Sequence, residues 1–143
     1  MKKPNYIINT LQFCLVGCGK SQVLLHLKKI LQVRKSVGDF DFRVASFTGL
    51  SAHNIAGCTL HSCFRIPVYK TPSEWYSQIG RAVTEKVKYN FRDVAMILID
   101  EYQMVSKNVF AYLDFFLRKC DPNRASFPFA NRSIIFAGNC SNH

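Results

Sequence analysis

The sequence predicts an α/β fold, a parallel sheet flanked by helices, and three observations carry that expectation. Short apolar runs alternate with helix-periodic stretches along the chain. The run Ala95 to Ile99 (AMILI) is apolar throughout, the composition of a strand buried on both faces. A glycine-rich turn, Gly17-Cys18-Gly19-Lys20-Ser21, joins a first apolar run to an amphipathic helix.

The elements follow in order. Leu11 to Val16 reads as the first strand. After Lys20, the residues Val23, Leu24, Leu27, Ile30 and Leu31 recur at helical spacing, with Gln22, His26, Lys28, Lys29 and Gln32 on the opposite, solvent face. Arg43 to Ser46 is a second strand. Ser73 is placed to cap one helix carrying Ile79, Val83 and Val87. AMILI is the third strand, and Ser106 caps a helix with Phe110, Leu113, Phe116 and Leu117 on one side. Arg118 and Lys119 favour the negative end of that helix, and Asp121-Pro122 stops it. Cys120 to Arg132 reads as a loop, and Ser133 to Ala137 (SIIFA) as a fourth strand. No repeat, low-complexity tract or linker divides the chain, so its 143 residues, 48% hydrophobic, are expected as one domain, 1–143.

Charge narrows the partners. Nineteen Lys and Arg against nine Asp and Glu give +10, enough to draw polyanions, nucleic acid being the commonest; a basic but inert surface is the alternative. The six cysteines show no paired C-x-x-C spacing, and Cys58, His61 and Cys63 lack a fourth ligand for zinc. Reduced thiols suit a nuclear compartment, or a cytoplasmic one if the source is prokaryotic or viral. The start, MKKPNYIINTLQFCLVGC, has the outline of a lipoprotein signal, but Asn9, Thr10 and Gln12 interrupt its apolar core and Pro4 sits in the basic part. No run approaches the length needed to span a membrane, so no membrane partner is expected.

The chemistry concentrates at two places. A glycine-rich turn between a strand and a helix start aims backbone N–H groups and the positive end of a helix dipole at an anion. Gly17, Cys18, Gly19, Lys20 and Ser21 would cradle the phosphates of ATP, Lys20 reaching the β and γ phosphates and Ser21 ligating Mg2+. The alternative is a polar helix start that happens to contain glycines. Cys14 stands where this kind of loop has its first glycine, and a Cβ in glycine-type backbone is expected to cost about 1 to 2 kcal/mol. The second place is LIDE, where an apolar strand ends in Asp100-Glu101 at the sheet edge at which open α/β folds bind ligands. Asp100 would hold magnesium through water, and Glu101 would orient and deprotonate the attacking water. A solvated strand end is the alternative for an isolated Asp-Glu pair. Together the two signals predict nucleotide-binding ancestry, and the resemblance that follows implies the RecA-like build of a P-loop NTPase.

Four blocks then carry a closer likeness. GCGKS; ASFTGLSAHNIAGCTLHSCFRIPV (residues 45 to 68), with its T-G and T-x-H-S; LIDEYQMVS (98 to 106); and PFANRSIIFAGN (128 to 139) occur in this order over nearly the whole chain. The chain resembles the first motor lobe of the PIF-type DNA helicases, the RecD-like branch of superfamily one that also supplies the helicase part of Helitron transposons. The resemblance implies ATP and Mg2+ as cofactors, with Lys20 and Ser21 at phosphate and metal and Asp100 and Glu101 serving metal and water. It implies single-stranded DNA as partner, with Thr48, Gly49, Thr59 and His61 in blocks that line the strand's track, and work in DNA repair, recombination and telomere maintenance. Phe47, His61 and Phe64 offer stacking faces, Phe64 being equally suited to a core.

The chain also departs from the pattern. Phe47 stands where the family has proline, Leu50-Ser51 replaces a pair commonly basic and small, and Gln103 takes a serine position. The block PFANRSIIFAGN resembles the family's P-F-G-G strand ending in F-A-G-D. Asn139 replaces the aspartate of F-A-G-D, and CSNH follows where a γ-phosphate-sensing glutamine is expected. A second motor lobe, which in the family closes on the nucleotide with arginine fingers, does not follow, so an incomplete single lobe is expected. The two functional readings are a helicase lobe acting on ATP and DNA but slow by itself, and a basic nucleic-acid-binding module of the same descent without turnover.

Overall fold

The computed structural model describes residues 10–14, 19–38, 40–68 and 70–138. Five strands, β1 (Thr10–Cys14), β2 (Asp41–Ser46), β3 (Cys58–Thr59), β4 (Val94–Asp100) and β5 (Ser133–Gly138), form one sheet in the order β1-β5-β4-β2-β3. Every pairing is parallel. The four expected strands are present. Leu15 and Val16, expected at the end of the first, lie outside the described residues, and the two-residue β3 is too short to leave a periodic signal.

Alternation along β4 explains its apolar run. Ile97 and Ile99 face one layer and Met96 and Leu98 the other. On the first face sits the larger core, formed by α3 (Leu60–Cys63), α4 (Pro72–Ala82), α5 (Glu85–Phe91) and α6 (Lys107–Cys120), with Phe64, Tyr112, Phe116 and Leu117 sealed within it. On the second, α1 (Lys20–Val37) lays Leu24 and Leu31 against Phe42, Val44, Leu98, Ile135 and Ala137. Both sheet faces are thus covered, as an all-parallel sheet requires.

The helices correct the sequence reading in three places. Val23 and Ile30, expected inside, are 48% and 60% exposed, because α1 meets the sheet along a stripe only as wide as Leu24 and Leu31, with Leu27 at its margin. Lys28, expected on the solvent face, donates from Nζ to the carbonyls of Ile55 (3.1 Å) and Ala56 (2.5 Å). The single helix expected from Ser73 is two: Thr71 precedes α4, its N–H and hydroxyl bound to the Glu74 carboxylate, and Thr84 starts α5 by accepting the Val87 N–H. A threonine that caps one helix interrupts the other. Ser106 caps α6 as expected, accepting the Val109 N–H at 3.2 Å.

The stretch expected as a loop after α6 is folded into two 3-10 turns, Pro122–Arg124 and Pro128–Asn131. In the second, Phe129, Ala130 and Asn131 have φ of 51°, 50° and 60°. Left-handed backbone is therefore kept where the resemblance expects glycines. The Phe129 N–H is held by Asp114 (2.6 Å), and the buried Arg132 guanidinium donates to the carbonyls of Phe91, Val94 and Ala130. No helix among the described residues is long and apolar enough to cross a membrane.

A short helix, α2 (Gly49–Asn54), ends in a Schellman turn: the Ala56 N–H reaches the His53 carbonyl and the Gly57 N–H the Ala52 carbonyl. Ala56 has φ 47° and is exposed. Glycine takes that conformation without a Cβ penalty. Gly57 differs, since a Cβ there would lie 2.5 Å from the Val44 carbonyl oxygen of β2. In urea denaturation, Ala56→Gly should therefore raise stability by about 1 kcal/mol. Gly57→Ala should lower it by about 2 kcal/mol.

Candidate functional site at the C-terminal sheet edge

In a parallel sheet all strands deliver their last residues to one edge. Here Ser46 of β2 pairs with Asp100 of β4 on one side and Thr59 of β3 on the other, while Cys14 of β1 pairs with Gly138 of β5. The candidate nucleotide and strand residues therefore share one rim. One strand, β5, separates β1 from β4, so the ends of those two strands stand about 9.5 Å apart at two strand spacings.

The carboxylates are built into this rim by hydrogen bonds. Asp100, 6% exposed, accepts the Glu101 N–H on Oδ1 (2.9 Å) and the Ser51 hydroxyl on Oδ2 (3.1 Å). Glu101 turns the chain with left-handed backbone, φ 56° and ψ 40°, a conformation costing a non-glycine residue on the order of 1 kcal/mol or more. Its Oε2 accepts the Ser46 hydroxyl (3.1 Å), the Thr48 hydroxyl (2.9 Å) and the Thr48 N–H (3.3 Å). The 3-10 turn Tyr102–Met104 that follows lies directly on β5. Only a glycine at 138 permits that approach, because a Cβ would meet the Gln103 amide oxygen and come within 2.6 Å of Tyr102 Cδ1.

At the other signal, Gly17 and Cys18 lie outside the described residues, and so does Asn139. Gly19 has φ 76°, the left-handed region that favours glycine, and its carbonyl accepts the Gln22 and Val23 N–H groups as α1 begins. Lys20 is half-buried, Ser21 is exposed, and no acidic residue stands in the first turn of α1. A helix start without carboxylates and with a lysine and a hydroxyl in its first turn fits an anion with a metal counterion. The strain expected at Cys14 is not found. Cys14 ends β1 in parallel pairing, and extended backbone accepts any side chain.

Of the residues expected on a DNA-strand track, Thr48 is drawn into the carboxylate site, and Gly49 is exposed at the start of α2 with open space where a Cβ would go. Thr59 caps α3, accepting the Ser62 N–H at 3.2 Å. His61 packs edge-on against Phe47 with ring centroids 5.7 Å apart. Phe64 is wholly buried in the core, whereas Phe47 and His61 are half-buried at this rim. Ser46 and Ser51, both bound to the carboxylates, were missed in the sequence as site residues. The trace Ser46 leaves there is a polar residue closing an apolar strand; Ser51 stands as a mere departure. Toward the opposite sheet edge, four basic groups of the described residues are ion-paired, Lys35 with Asp41, Lys88 with Glu85, Arg92 with Asp93 and Arg124 with Asp121.

Comparison with known proteins adds to this geometry. A family model described as PIF1-like helicase matches residues 9–142. The chain is 31% identical over 123 residues to the ATP-dependent DNA helicase PIF1 of Saccharomyces cerevisiae, covering 85% of this chain and 14% of that protein. Among solved structures, it superposes on the Pif1 helicase of Candida albicans with a TM-score of 0.71 at 26% identity. A Bacteroides Pif1 in complex with ADP-AlF3 and ssDNA superposes with 0.70 at 29%. Each match covers 92% of this chain and 28% of the other. The fold resembles those helicases throughout, and the chain spans a small part of their length.

The thiols beside Thr59 give a pH-dependent signature. A hydrogen bond from Cys63 lowers the Cys58 thiol to about 7, burial opposing it and the Arg43 charge assisting, whereas that same bond and burial raise Cys63. Burial pushes Cys120 up to about 12. Since the thiolate is the nucleophile, iodoacetamide labelling of Cys58 should rise through a midpoint near pH 7. It should exceed that of Cys120 on the order of a hundredfold in the folded protein, read by peptide mass mapping. Cys63→Ala should return the Cys58 midpoint toward the ordinary thiol value.

Proposed function

The chain belongs to the PIF1-like helicase family, and from that membership we propose that it binds ATP and single-stranded DNA as part of a DNA-helicase motor. One observation carries the proposal: a left-handed Gly19 opening α1, the Asp100-Glu101 pair and the Thr48 turn all lie along one edge of one parallel sheet. Two of the solved relatives support it, one being a helicase caught with ADP-AlF3 and ssDNA together.

In this reading Lys20 binds the β and γ phosphates, and Ser21 with Asp100 would hold Mg2+, Asp100 through water. The fit rests on the donors present: both Asp100 oxygens accept a single bond from the protein, which leaves lone pairs for bound water. Magnesium would neutralise charge on the transferred phosphoryl group. Glu101 orients and deprotonates the attacking water. Single-stranded DNA runs over Thr48, Gly49, Thr59 and His61, with Phe47 and His61 as the sequence-tolerant stacking faces. The setting we propose for the motor is nuclear, in DNA repair, recombination and telomere maintenance.

Nucleotide binding tests the first half. Affinity for ATP should depend on magnesium, and Lys20→Ala should weaken it at least about tenfold, the weight of a hydrogen bond between charged groups. Equal binding by parent and variant would refute the phosphate-loop assignment, and magnesium-independent binding would favour a module without turnover.

Strand binding tests the second half. Affinity for a labelled thymidine homopolymer should fall steeply with salt, because each neutralised phosphate releases condensed counterion. His61→Ala should weaken it about tenfold, and Thr59→Ala measurably, whereas Lys29→Ala on the exposed side of α1 should change it little. Affinity indifferent to salt would overturn the DNA reading.

A further inference from the structure

Thr48 has two donors, its hydroxyl and its backbone N–H, and both are directed at a single atom. That atom is Oε2 of Glu101, at 2.9 Å and 3.3 Å. A hydroxyl carries one proton, so while it serves Glu101 it has none for a second anion. The Thr48 oxygen meanwhile accepts the Ser51 N–H at 3.3 Å, which fixes its place at the start of α2. The third donor to the same carboxylate oxygen is the hydroxyl of Ser46, a residue with no exposed surface. Glu101 is brought to these donors by left-handed backbone, a conformation that persists in a non-glycine residue only where surrounding contacts over-determine it.

A phosphate docking at Thr48 needs those same two donors. Carboxylate and phosphate are both anions, they repel at this range, and neither is well served by sharing one hydroxyl proton and one N–H. We propose that the Glu101 carboxylate and a phosphate of single-stranded DNA compete for Thr48, so that strand binding releases Glu101 from Thr48 and leaves Ser46 as its holder at the nucleotide edge. The inference rests on the strand contact assigned to Thr48 above. Ser46 is then a positioning residue, acting through the carboxylate and touching neither ligand. Linkage makes the coupling reciprocal: whatever draws Glu101 away from Thr48 strengthens strand binding by the same factor.

The test is a double-mutant cycle read by fluorescence anisotropy on a labelled thymidine homopolymer, with the full chain and at fixed salt. Glu101→Ala should tighten binding about tenfold, since it returns two donors to the phosphate. Glu101→Gln, which keeps an acceptor oxygen but removes the charge, should tighten it less. In a Thr48→Val background the Glu101→Ala gain should be largely lost, and Thr48→Ser, which keeps both donors, should restore it. Simple removal of negative charge would act with or without the Thr48 hydroxyl. Equal gains from Ala and Gln, a gain that persists in Thr48→Val, or no gain in a parent that binds the strand would each overturn the competition and leave the DNA reading standing. A parent and variants that all fail to bind the strand would overturn both.

Discussion

The stretch Met96 to Ile99 of β4 is apolar on both faces and needs cover on each, and that constraint organises the molecule. Ile97 and Ile99 need one cover and Met96 and Leu98 another, so helices lie on both sides of the sheet. Parallel strands joined by crossovers then carry every chain reversal to one of two edges. The edge that receives Asp100 also receives the ends of β1, β2, β3 and β5. Covering the four side chains Met96 to Ile99 in the middle of the chain thereby assembles a rim of polar residues that come from distant parts of it.

At that rim the local backbone is shaped for contacts rather than comfort. Glu101 sits in left-handed space, and Gly138 gives up its side chain to let the following turn lie on β5. Asp100 is nearly buried and held at both ends, with one donor on each oxygen. Polar groups withdrawn from water need partners in this way, and the serines and threonine of β2 and α2 supply them. The same economy appears in the Arg132 guanidinium, which is satisfied by three backbone carbonyls and ties the end of α5, the start of β4 and the 3-10 turn before β5 together.

The departures from the family pattern separate into those the structure absorbs and those it remodels. Cys14 brings no left-handed strain, since β1 is extended there. Ala130 and Asn131 keep the left-handed turn in which the family places glycines, so the shape survives without the residue type that favours it. Ser51, which with Leu50 stands where a basic and small pair is common, takes a bond to Asp100 and becomes part of the carboxylate site. Leu50 beside it is 75% exposed at the same rim.

What the sequence by itself determined is whatever its local periodicity and capping chemistry encode. Apolar runs mark the four longer strands, Ser106 marks the start of α6, and glycine before Lys20 marks the left-handed opening of α1. These depend on residues a few positions apart. Only the tertiary structure decided the rest: which side of α1 is narrow enough to leave Val23 and Ile30 in water, why Lys28 faces a carbonyl pair, and that Phe64 is core while Phe47 and His61 are half-buried at the rim. The contact of Ser46 and Thr48 with Glu101 joins residues 55 and 53 positions apart. No local pattern reports it, because it exists only once parallel pairing has set Ser46 beside Asp100 and the backbone of Glu101 has turned its carboxylate back across β2.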